Sequence, residues 1–149
     1  MRPDPPKVLS GVAMTLLTQV MPEVQSPFGA QTVSLAGGLT MMVAEEFDRA
    51  AARLVEENAV VLALLQRARG VFHDAAIEEK LESVMGDLPG ADLRVSALQA
   101  ENDRLRGVLI DVHAAAENEP GKDGATLCEL IWDELKQSTR RRHFSGRVG

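Results

Sequence analysis

Apolar residues along this chain recur at helical spacing almost from end to end. Leu9, Val12, Ala13, Leu16, Leu17 and Val20 fall three and four apart, the interval that stacks side chains on one helix face. They predict a first helix from about Lys7 to Met21, stopped by Pro22. Ser26 and Pro27 mark a second start, a capping hydroxyl followed by a proline in the first turn, where its missing N–H costs nothing. From there the stripe runs through Val33, Leu35, Leu39, Val43, Phe47, Ala50, Leu54, Val61, Leu65 and Ala68 until Gly70. The pattern therefore predicts one unusually long helix over about residues 27–69. Gly37-Gly38 is its weak point and leaves two alternatives, a kink there or an unbroken rod of about 64 Å. The second is long beside the radius of gyration of about 15 Å expected for a compact chain of this size, and points to a length shared with another subunit.

Downstream, Val71, Phe72, Ile77, Leu81, Val84 and Met85 predict a shorter third helix, broken by Gly86, Pro89 and Gly90. Asp92 is the expected cap of a fourth, in which Val95, Leu98, Asn102, Leu105, Leu109, Val112 and Ala116 alternate spacings of three and four. Such a heptad stripe has Asn102 at a central a position and Leu98 and Leu105 at d, with Glu101 and Arg106 placed as a g-to-e pair. It fits either a short two-stranded zipper or a bundle helix packed on its own chain. Glu119 to Gly124 is a turn, and a fifth helix follows with Leu127, Leu130, Ile131 and Leu135 inward and Trp132 at its edge. The fold class is all-α, a bundle of about five helices. The expected organisation is a flexible Pro-rich arm over residues 1–6, a single helical domain over 7–142 and a flexible tail over 143–149.

Charge changes this picture. Charged residues make up 26% of the chain, yet Val8 to Ala44 holds one, Glu23, where about ten are expected at that frequency. A helix without charge has no face suited to water, so this stretch needs cover on nearly every side. The same domain thus splits into an uncharged hairpin, 7–44, and a charged helical part, 45–142. Ala30, Ser34 and Gly38 fall four apart, a ridge of small side chains that admits another backbone, and Gly11 stands on the small, neutral face of the first helix. The ridge receives either the first helix of the same chain, favoured by the short Pro22–Ser26 connection, or a second molecule. Glu45 to Thr139 has ten basic and twenty acidic residues, whereas the last ten residues add Arg140, Arg141, Arg142 and Arg147. An acidic body with a basic end repels nucleic-acid phosphates overall, and the arginines are expected to complement the dipole of the last helix.

Aromatics are 3% with no Tyr, so the core is built from Leu, Val, Ala, Ile and Met. The single cysteine, Cys128, excludes an internal disulfide and fits a cytoplasmic protein. Arg2 and Lys7 before an apolar run mimic an export signal, but Asp4, three prolines and Thr15, Thr18 and Gln19 argue against one. Pro27 to Ala44 is 18 uncharged residues, yet its Gln31, Thr32, Ser34, Thr40 and three glycines argue against a membrane span.

Candidate chemistry is sparse. Glu45, Glu46, Asp48, Arg49, Arg53, Glu56 and Glu57 crowd the long helix; Glu45–Arg49 and Arg53–Glu57, four apart, read as surface or inter-helix ion pairs. Asn58 lies on the apolar stripe, where a buried hydrogen bond sets register. A four-helix carboxylate metal site needs Glu three residues before His, but Gly70, Ile110 and Arg140 precede His73, His113 and His143. His113 and Glu117 are two ligands at most, better used in a surface hydrogen bond. No phosphate loop, serine elbow or dinucleotide fingerprint occurs, and no catalytic residue, cofactor or metal is assigned.

The segments AEEFDRAAARLVEENAVVLALL, Ala44 to Leu65, and LRVSALQAENDRLRGVLIDVHA, Leu93 to Ala114, resemble a small uncharacterised all-helical bacterial family. Its members look associated with genes for acyl-CoA dehydrogenases and small-molecule phosphotransferases. The resemblance implies an accessory role in acyl-CoA metabolism, with an acyl-CoA enzyme as a partner, and brings no catalytic residues. The expectation is thus a non-catalytic accessory or scaffold protein, a homo-oligomer or partner of another protein, assembling through its uncharged hairpin. The alternative is a module binding an acyl chain or acyl-CoA, with Met14, Met21, Met41 and Met42 as adaptable pocket walls. The interface candidates are Gly11, Ala30, Ser34, Gly38, Leu98, Asn102 and Leu105.

Overall fold

A computed structural model of the chain describes residues 3–86 and 92–145. It is all-helical, with five α-helices and no strand among the described residues: α1 (Pro5–Thr15), α2 (Pro27–Ala68), α3 (Ala75–Met85), α4 (Val95–Asn118) and α5 (Lys122–Arg141). The chain divides into two compact units, Met1–Ala50 with Phe144–Gly149, and Ala51–His143.

In the first unit the helix begins earlier than its apolar pattern. The Asp4 carboxylate accepts the Lys7 N–H at 3.4 Å and Pro5 and Pro6 fill the first turn, so the end of the expected flexible arm is helical. After Thr15 the helix widens into a π turn, Leu16–Val20, in which the Met21 N–H reaches the Leu16 carbonyl, and a 3₁₀ turn, Met21–Glu23, follows. The Thr15 and Thr18 hydroxyls donate to the Gly11 and Met14 carbonyls at 3.0 and 2.8 Å, competing locally with the backbone ladder, and Pro22 then supplies no N–H to extend it. Ser26 caps α2 as its sequence indicates, accepting the Gly29 N–H at 3.3 Å.

α2 is a single helix of 42 residues, assigned without interruption through Gly37-Gly38. The two glycines differ. A Cβ on Gly37 would lie 2.7 Å from Leu17, whereas one on Gly38 meets nothing within 4 Å. Gly37 is the close-approach residue of the hairpin; with Ala30, Val33, Thr40 and Ala44 it forms the face of α2 that is buried or half-buried.

The second unit holds the larger core. The final turns of α2 contribute Val61, Leu64, Leu65 and Ala68, α3 Ile77, Leu81 and Val84, α4 Leu105, Leu109, Val112 and Ala116, and α5 Leu127 and Ile131. The third helix is shorter than its apolar run. Asp74 accepts the Ala76 N–H at 2.8 Å and starts α3 at Ala75, while Gly70, at φ +76°, turns the chain so that Phe72 enters the core from the connection. Asp92 does not cap α4. Its carboxylate binds the Arg94 backbone N–H and guanidinium, and the helix starts at Val95 without a side-chain cap. The last turn of sequence is also more helical than expected, since α5 begins at Lys122 after Gly121 at φ +112°. Gly124 sits inside α5 because a Cβ there would lie 2.8 and 2.9 Å from the Glu119 and Ala116 carbonyl oxygens.

Candidate functional site

Two features stand apart from ordinary packing, one in each unit. The first is the surface of the hairpin. Its buried apolar residues are Ala13, Ala44 and Ala50; no large apolar side chain of this unit is buried among the described residues, against sixteen buried apolar residues in the second unit. Eleven of the sixteen exposed large apolar side chains fall between Val8 and Phe47. Between Val8 and Ala44 the exposed surface carries one charge, Glu23, and its other polar groups are the neutral side chains of Ser, Thr and Gln.

On α2 these side chains are ordered. Phe28, Leu35, Leu39 and Met42 are all exposed, Phe28 at 80%. At 100° per residue they lie within about 40° of the direction opposite Gly37. Thr32 and Glu46 complete the line, giving spacings that alternate four and three from Phe28 to Glu46. It is a second heptad-like seam, on the side of α2 opposite the Gly37–Leu17 contact.

The small-residue candidates divide. Ala30 is half-buried on the hairpin face, while Gly11, Ser34 and Gly38 are exposed, with nothing within 4 Å of a Cβ built on Gly11 or Gly38. The contact with Leu17 is at Gly37, and Ala30 and Ala44, seven residues to either side on the same face, are half-buried and buried. Leu17 needs the depth of a glycine, and Gly37 is the one turned toward it.

The second feature is a buried cluster of ions. Glu57 is fully buried, with 0% exposure. Its Oε2 accepts from Arg106 Nη2 at 3.1 Å and Arg142 Nη2 at 2.6 Å; its Oε1 accepts from Arg142 Nε at 3.1 Å and Arg53 Nη1 at 3.5 Å. Burial pushes this carboxyl up, but the hydrogen bonds and charges of Arg142 and Arg106 outweigh it and hold the group down at about 2. Arg106 also donates to Asn102 Oδ1 at 3.0 Å and Ser138 Oγ at 2.8 Å. Asn102 Nδ2 donates to Asn58 Oδ1 at 2.8 Å, and Asn58 Nδ2 to the Leu98 carbonyl at 3.0 Å. Beside this chain Arg141 pairs with Glu134 and, at 3.6 Å, Glu56. Burial leads the effects on Glu134 and raises its carboxyl despite Arg141.

Asn102, Leu98 and Leu105 are therefore inside the second unit, and the heptad stripe of α4 faces its own chain. Arg106 turns inward to Glu57, not outward to a g-to-e pairing with Glu101. Arg141 and Arg142, read as complements to a helix dipole, are instead the clamp between the end of α5 and α2. One signal for this was present: Glu57 lies three after Leu54 and four before Val61, and Glu134 and Ser138 continue the spacing of Leu127 and Ile131. A charge on an apolar stripe implies a buried partner.

Comparison with known proteins finds no matching family model, curated protein or solved structure.

The chemistry of the remaining candidates is limited. An ionised carboxylate held at about 2 with both oxygens hydrogen-bonded is a poor general base near neutral pH. His113 Nε2 is 3.7 Å from Glu117, beyond hydrogen-bond reach, and its ring packs edge-on against Trp132 with centroids 5.4 Å apart. Cys128 packs on the core, and burial, then Glu117, pushes its thiol up, away from the reactive thiolate. Among the described residues no group of three or more His, Cys, Asp or Glu is arranged to hold a metal, and no helix is long and apolar enough to cross a membrane. At the C-terminal end, the Ser145 N–H and hydroxyl donate to Glu45 at 3.0 and 2.8 Å and Arg49 lies over the Phe144 ring at 4.8 Å, so these two tail residues are docked. Residues 146–149, including Arg147, lie outside the described residues.

Proposed function

We propose that this is a non-catalytic accessory or scaffold protein that assembles through its uncharged N-terminal hairpin, and that the charged unit is its stable base. The observation that carries the reading is the inverted burial of the first unit: its buried residues are alanines and a glycine, while eleven of its Phe, Leu, Met and Val side chains are exposed and none is fully buried among the described residues. Large apolar patches of this kind belong to contacts with other molecules. Gly11, Ser34 and Gly38 lie on that outward surface and remain interface candidates; Leu98, Asn102 and Leu105 do not. The partner is a second copy of the chain or another protein, and the resemblance of the segments Ala44–Leu65 and Leu93–Ala114 puts an acyl-CoA-metabolising enzyme first among the latter.

Native mass spectrometry of the protein purified from its own host tests this. A protein complex that dissociates when Leu39→Lys and Met42→Lys are combined is the expected result. A lone chain with no partner overturns assembly as the role of the hairpin, and a retained acyl ligand in its place establishes the binding-module alternative.

A further inference from the structure

We propose that the occupant of the outer α2 seam is a second copy of this chain, docked antiparallel about a two-fold axis at Gly37. This rests on the hairpin as the assembling surface and names its partner and geometry. The length over which Phe28, Thr32, Leu35, Leu39, Met42 and Glu46 keep their alternating spacing has its midpoint at position 37. An antiparallel two-fold there sets Leu35 against the partner copy's Leu39 and Thr32 against its Met42, each contact occurring twice. It sets Phe28 against Glu46.

Charge decides between this arrangement and the parallel one. A parallel pair brings the two Glu46 side chains toward each other. The antiparallel pair brings Glu46 of each chain to the N-terminal turn of the other α2, the end at which the helix dipole carries partial positive charge. The first turn of α2 has no acidic residue of its own to occupy that field. Glu46 keeps its ion pair with Arg49, at 3.3 Å, in either case. Between the two ends the seam has no charge at all, so self-docking opposes no like charges.

With side chains of about 150–200 Å² each, Phe28, Leu35, Leu39 and Met42, at 80, 62, 52 and 41% exposure, present roughly 400 Å² of apolar surface. That is about half of the roughly 800 Å² each partner gives to a standard interface, the size class of weak, reversible contacts.

Light scattering after gel filtration, on the full chain, is expected to give twice the chain mass of 16.1 kDa. Leu35 is 62% exposed in the chain, so Leu35→Lys leaves helicity by circular dichroism unchanged and raises the dimer dissociation constant at least a hundredfold. Phe28→Lys, which meets the partner's acidic end, raises it less than tenfold. On a Cys128→Ser background, Thr32→Cys combined with Met42→Cys forms a disulfide-linked dimer under mild oxidation, in higher yield than either single change. Efficient linking by Thr32→Cys alone overturns the antiparallel geometry. A dimer unaffected by Leu35→Lys overturns the seam. A monomer in purified form that nonetheless enters a complex with a different protein in its host overturns self-association while leaving the hairpin as the assembling surface.

Discussion

Replacing Glu57 with Gln removes one negative charge while keeping the side chain's size, and the structure sets what that costs. In the native protein the carboxyl sits at about 2, against 4.5 for the free group. The folded value is depressed, so its contribution is present above pH 4.5 and is lost as pH falls toward 2. At about 1.4 kcal/mol per unit, the difference corresponds to roughly 3 kcal/mol at pH 7. An independent route agrees, since removing one partner of a buried pair costs about 3–5 kcal/mol. Arg142 is 47% exposed on its side chain and swings back to water, which lowers the figure, whereas Arg106 and Arg53 at 21% and 13% stay largely covered. Urea unfolding of both proteins, followed by circular dichroism, is expected to show a loss of about 2–4 kcal/mol at pH 7, shrinking to about 1 kcal/mol or less at pH 2. A difference under about 1 kcal/mol at pH 7, or one that does not change between pH 7 and pH 2, refutes the clamp as a source of stability.

Glycine substitutions separate close approach from simple flexibility. Gly124→Ala is expected to cost about 1–3 kcal/mol, because its Cβ meets two carbonyl oxygens, whereas Gly107→Ala, with open space in the middle of α4, gains about 0.5–1 kcal/mol; paired urea curves check both. The adjacent pair in α2 behaves likewise: Gly38→Ala raises the thermal midpoint and Gly37→Ala, which must displace Leu17, lowers it relative to Gly38→Ala. Asn102→Leu leaves Asn58 and Arg106 each without one hydrogen-bond partner and is expected to destabilise by about 1–3 kcal/mol, with oligomeric mass by light scattering unchanged. Ser145→Ala removes one of the hydrogen bonds that lower the Glu45 carboxyl, so the Glu45 side-chain resonance titrates at higher pH in the variant; no movement refutes the docked tail.

Much of the second unit is legible from spacing alone. Leu98, Asn102, Leu105, Leu109, Val112 and Ala116 are the buried line of α4, in the order the heptad pattern sets them out, because a helix turns a three-four repeat into one face whatever that face meets. The destination of the face is another matter. The same stripe fits a zipper and an intramolecular bundle equally, and the contacts of Asn102 with Asn58, 44 positions away, place it in its own chain. Element ends were less legible, for Asp4, Asp74 and Asp92 are all short acids before a helix, yet the first two cap and the third binds Arg94.

The hairpin shows the limit most sharply. The absence of charge between Val8 and Ala44 is a property of the sequence and by itself demands cover for the helices formed there. Which face of α2 receives Leu17 is set by where that side chain finds room, at Gly37 and not at its neighbour, and a shift of one residue turns the contact by about 100°. That rotation leaves Phe28, Leu35, Leu39 and Met42 outward. The clamp on Glu57 follows the same rule. Composition and spacing determine that a charge lies on an apolar stripe; only the tertiary structure brings Arg106 and Arg142, 49 and 85 positions away, to the two oxygens that burial would otherwise leave unpaired.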